Sequence, residues 1–81
     1  MIAPALWVEI VGWIGALLIL AAYAMLTAGR ITARSTAYQG MNVLGAAAFV
    51  VNGLSHGALP SVVLNVIWAA IGVVALARMR A

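Results

Sequence analysis

Few side chains in this sequence could do chemistry. There is one acid, Glu9, one histidine, His56, and no cysteine. A lone histidine with no second His, Cys or carboxylate at ligand spacing does not make a metal site. Ser35, Ser55 and Ser61 read as loop or capping residues, and neither a glycine-rich phosphate loop nor an H-E-x-x-H motif occurs, so no enzyme, metal or cofactor is expected. What remains is a set of amides and aromatic rings. Asn65 and Trp68 interrupt the aliphatic run VVLNVIWAA, residues 62–70, while Asn42, Phe49 and Asn52 recur through a second apolar stretch and Tyr23 closes a first. Amides offer donors and acceptors to hydroxyl groups, and rings offer a face to stack on, which is what a site for a small neutral solute needs.

Three apolar blocks must position these groups. The chain has 81 residues, 68% hydrophobic and 6% charged, against roughly a quarter charged in soluble domains. That composition predicts an all-α integral membrane protein. Each block approaches the roughly 20 residues that cross the hydrocarbon core, giving one domain, residues 1–81, with transmembrane helices over 6–26, 37–54 and 61–77. Pro4 precedes the first, where a missing N–H costs least. The segment TAGRITARST, residues 27–36, ends that helix at Gly29 and offers Ser35 or Thr36 as the next cap; SHGALP, residues 55–60, forms a short second loop.

The first block lacks a basic leader and carries Glu9 near its start, so it is expected to be retained rather than cleaved. With three spans, Arg30, Arg34, Arg78 and Arg80 share one side while Glu9 and His56 approach the other. The positive-inside rule then places the N-terminus out and the C-terminus in. No basic stripe or aromatic platform that would track nucleic acid is present. The partners expected are the lipid bilayer, a second copy of the chain and a small neutral solute.

At helical spacing each span predicts an inward stripe: Glu9, Gly12, Ala16, Leu20, Tyr23 and Thr27; Tyr38, Asn42, Gly45, Phe49, Asn52 and His56; Asn65, Trp68 or Ala69, Gly72 and Leu76. Two roles compete for the amides, helix–helix adhesion and solute contact. Three functional classes follow: a permease, a structural or accessory membrane subunit, and, through Glu9, a proton-coupled exporter. Three helices packed at about 8–10 Å leave no central channel, so a permease requires more than one chain. Small-residue faces, Gly12 with Ala16 and Gly45 to Ala48, are expected to allow chains to approach.

Four short segments resemble the SemiSWEET family, bacterial three-helix relatives of the SWEET sugar transporters. AYA at 22–24 is similar to its first-helix segment, RST at 34–36 to its first loop, FVVNG at 49–53 to its W-x-x-Y-G, and G-x-L-P at 57–60 leads to Asn65. The whole pattern is also similar to short bacterial three-helix membrane proteins labelled as permeases. The resemblance implies a SemiSWEET-like triple-helix bundle in the bacterial inner (cytoplasmic) membrane, a homodimer working by alternating access. It also implies that Asn65 faces substrate, with Asn42, Asn52, Phe49, Trp68 and Tyr23 completing the site. Met25 and Leu26 replace the family's proline motif, Phe49 its tryptophan and Asn52 its tyrosine.

Overall fold

The computed structural model describes residues 5–79 and the backbone of Arg80. It contains three helices: α1 Leu6–Thr27, α2 Thr36–His56 and α3 Leu59–Arg80. Pro4, assigned from sequence to the approach to α1, lies outside the described residues. At about 1.5 Å per residue each helix is roughly 30 Å long. By length and composition, α1 and the Leu59–Met79 stretch of α3 are apolar enough to cross a membrane.

Local chemistry sets the boundaries. Gly29, with φ 76°, ends α1: its N–H donates to the Leu26 carbonyl at 3.1 Å and that of Arg30 to Met25 at 2.9 Å. Gly57, with φ 68°, ends α2 through the same pair of bonds, Gly57 to Leu54 at 3.3 Å and Ala58 to Gly53 at 2.9 Å. Such a left-handed residue satisfies two carbonyls that the helix leaves open. Ser35 caps α2, its hydroxyl accepting the Tyr38 N–H at 3.0 Å.

Two expectations about the second loop change. His56 is the last residue of α2, and Pro60 lies in the first turn of α3, so the loop shrinks to Gly57 and Ala58. Pro60 is tolerated there because the first-turn N–H groups have no helical acceptor.

The helices run antiparallel in chain order, with α2 in the middle. Among the described residues no Cα of α1 comes within 8 Å of one in α3. Val8, Gly12, Gly15 and Ala22 of α1 are buried against α2, whose own buried residues are Asn42, Gly45, Ala46 and Gly53. The sites of closest approach are glycines. A Cβ on Gly15 would lie 2.8 Å from Ala48 Cβ, and one on Gly72 of α3 would lie 2.6 Å from Val43 Cγ2.

The seam on α1 is thus Val8–Gly12–Gly15–Ala22; it shares Gly12 with the predicted stripe but is otherwise one position round from it, and Ala16, Leu20 and Tyr23 of that stripe turn toward the open angle between α1 and α3. Gly12 and Gly45, expected at a contact between chains, are instead spent within one chain. Gly12 approaches Asn52, and Gly45 approaches Ile19.

Candidate functional site

Because α1 and α3 flank α2 without touching, one face of the molecule is a groove with α2 as its floor. Its central part, about 530 Å³, is walled by Ala16, Ile19, Leu20, Tyr23 and Leu26 of α1 and Trp68 of α3, over Tyr38, Asn42 and Phe49. Toward the Glu9 end it divides into two bays. One lies between Glu9, Trp13 and Asn52; the other holds Asn65, Ser61 and Leu64 opposite Ile19 and Phe49. A third bay, bounded by Gln39, Ile71 and Gly72, extends it between α2 and α3. Of the six sequence-predicted residues, Tyr23, Asn42, Phe49 and Trp68 line the central part, while Asn52 lines the Glu9 bay and Asn65 the Ser61 bay.

Their hydrogen bonds divide the amides by role. Asn42 is 5% exposed and its amide is engaged at both ends: Nδ2 donates to the Tyr38 carbonyl at 2.9 Å, and Oδ1 accepts the Trp68 Nε1–H at 3.1 Å. Having both ends engaged, it ties α2 to α3 and fixes the indole that forms the groove wall. Asn52 ties α2 to α1, its Nδ2 donating to the Val8 carbonyl at 3.2 Å. Asn65 behaves differently. Its Nδ2 donates back into its own helix, to the Ser61 carbonyl at 2.9 Å with the Ser61 hydroxyl at 3.4 Å. Among the described residues nothing donates to its Oδ1, and the Tyr23 hydroxyl makes no hydrogen bond either. In a low-dielectric setting such groups require water, solute or a second chain.

At the Glu9 end His56 Nε2 lies 3.2 Å from Glu9 Oε2, clasping the start of α1 to the end of α2. Sequence reading sent both residues to that end without pairing them; the antiparallel order of the helices was the available signal. Two side chains do not form a metal centre, and among the described residues no group of three His, Cys, Asp or Glu gathers. Trp13, Ala16, Ile19 and Leu20 also line the groove; of these, Ala16 and Leu20 stood on the predicted α1 stripe.

A model of an uncharacterised protein family matches residues 8–81 and links the chain to no activity and no SemiSWEET protein. No curated protein and no solved structure matches the chain significantly.

Proposed function

The chain belongs to that uncharacterised family, and we propose from the groove itself that it is a small membrane permease. It moves a small neutral, sugar-like solute by alternating access, as a homodimer in the bacterial inner membrane. One observation carries this: three helices bring Tyr23, Phe49 and Trp68 to a central cleft and Asn65 to a bay that shares Phe49 and Trp68 with it, and among the described residues the Asn65 carbonyl oxygen and the Tyr23 hydroxyl are left without protein partners. A volume of about 530 Å³ is within the range of ligand sites, roughly 300–1,000 Å³.

The groove is open along one side, so a second copy facing it supplies the missing wall and a second Asn65. α1 and α3 each rest on α2 alone, and so each is free to tilt without displacing the other. All three helices span. α2, the most polar, is shielded between its neighbours. Arg30 and Arg34 lie at the end reached by Arg78, and Glu9 and His56 lie at the other. Positive-inside then puts the C-terminus in the cytoplasm.

A second reading, a structural or accessory subunit, is favoured by Asn42 and Asn52, whose bonds lock helices together. Flux decides between them. Purified chain in proteoliposomes is tested against labelled sugars, polyols and amides, with chain count followed by native mass spectrometry. A permease gives flux for at least one solute, and Asn65→Ala lowers it tenfold or more while the dimer persists. A wild-type dimer with no flux across the panel refutes transport and leaves the structural subunit.

A further inference from the structure

The arginine end holds a second cleft that the transport groove does not use. It is about 290 Å³, lined by Ala33 and Arg34 of the first loop and by Ala75, Arg78 and Met79 of α3. The loop is fixed rather than trailing. The Ser35 N–H donates to the Thr32 carbonyl at 3.0 Å, and Gln39 Nε2 donates to the Ala33 carbonyl at 2.8 Å. Arg34 is therefore held between two anchored residues, facing the last turns of α3.

Arg78 alone has an ordinary explanation, since a cation in the last turn of a helix meets its negative dipole end. Positive-inside accounts for which end of the molecule Arg34 occupies, but not for its being brought from another element to the same cleft as Arg78. The two repel, and the chain's one acid, Glu9, lies at the opposite end, about 30 Å away along the helices and beyond a Debye length of about 8–10 Å. None of the residues lining the cleft is acidic, so an external anion is the complement that its charge favours. Guanidinium pairs suit the oxygens of a phosphate, and the methyl and thioether surfaces of Ala33, Ala75 and Met79 suit an acyl chain.

We propose that the Arg34–Arg78 cleft binds the phosphate headgroup of one anionic phospholipid per chain. The inference rests on the membrane placement above and not on transport, so a failed flux assay leaves it standing.

The test is native mass spectrometry of the full chain released from nanodiscs containing phosphatidylglycerol and phosphatidylcholine. The expected result is one phosphatidylglycerol retained per chain in preference to phosphatidylcholine. Removing one basic side chain near a membrane surface lowers affinity about fivefold; R34Q and R78Q should each do so, and the double variant about 25-fold. R30Q, which removes an arginine at the same end outside the cleft, should retain the lipid. Equal losses for R30Q and R34Q would overturn the site in favour of diffuse surface charge. Inorganic phosphate binding as tightly as the lipid would overturn it in favour of a soluble anion.

Discussion

Gly15→Ala adds a single methyl where the structure has no space for it. On the present backbone that carbon lies 2.8 Å from Ala48 Cβ and 3.0 Å from the Gly45 carbonyl oxygen. Carbon pairs settle at about 3.5–4.0 Å, so α1 must move away from α2 by roughly 0.7–1.2 Å. Neither obstacle can swing aside, because one is an alanine and the other is helix backbone. Overpacking of this kind costs about 1–3 kcal/mol, roughly 5- to 150-fold in the equilibrium between packed and separated helices. Gly40→Ala is the control. A Cβ there meets nothing within 4 Å, and the variant gains helix propensity of about 1 kcal/mol. Gly15→Ala makes the same propensity gain, which cancels in the comparison, so unfolding by SDS titration in bicelles, followed by tryptophan fluorescence, should place Gly15→Ala about 1–3 kcal/mol below Gly40→Ala. Ala48→Gly in the Gly15→Ala background should recover part of the loss, leaving the Gly45 carbonyl contact. Equal stability of the two single variants would refute a glycine-mediated α1–α2 seam.

Trp68→Phe keeps the ring but orphans the buried Asn42 carbonyl oxygen. The loss should be about 1 kcal/mol, between the average interhelical bond in membranes, about 0.6 kcal/mol, and an unpaired buried acceptor, about 1–3 kcal/mol; the same SDS titration reads it. Gly57→Ala forces an L side chain to φ 68° and should lose about 1–2 kcal/mol, with the α2–α3 turn the first segment to exchange amide hydrogens. A reporter fused after residue 81 should be active in the cytoplasm; periplasmic activity would reverse the three-span topology.

Helix number and approximate extent were readable in the sequence because apolar blocks of membrane length are separated by Gly29 and Gly57, residues that a helix end favours. That Tyr23, Asn42, Phe49 and Trp68 would come together was readable as well, whereas Trp13 and Ile19 were not singled out. Polar and aromatic side chains are scarce in these helices, so their spacing stands out. The phase of α1 was not readable. A helix apolar around its whole circumference carries little information about which stripe packs, and Val8–Gly15–Ala22 is as good a pattern as Glu9–Gly12–Ala16. Nor could a stripe of small residues reveal whether its partner belongs to the same chain, as Gly12 and Gly45 illustrate. The roles of the three amides were hidden for the same reason. Asn42 and Asn52 differ from Asn65 only in what the neighbouring helix places within reach.

The middle position of α2 also bears on how the protein is made. Synthesis delivers α1 first, so the Val8 carbonyl already exists when Asn52 emerges, and an α1–α2 hairpin can close before α3 has been translated. Asn42 must wait. The donor to its side-chain carbonyl, Trp68, lies 26 residues downstream, and until that indole arrives Asn42 is engaged only at its Nδ2, by the Tyr38 carbonyl of its own helix. α2 is thus committed to its final place only when α3 follows it, which makes the packing of the last two helices a joint event.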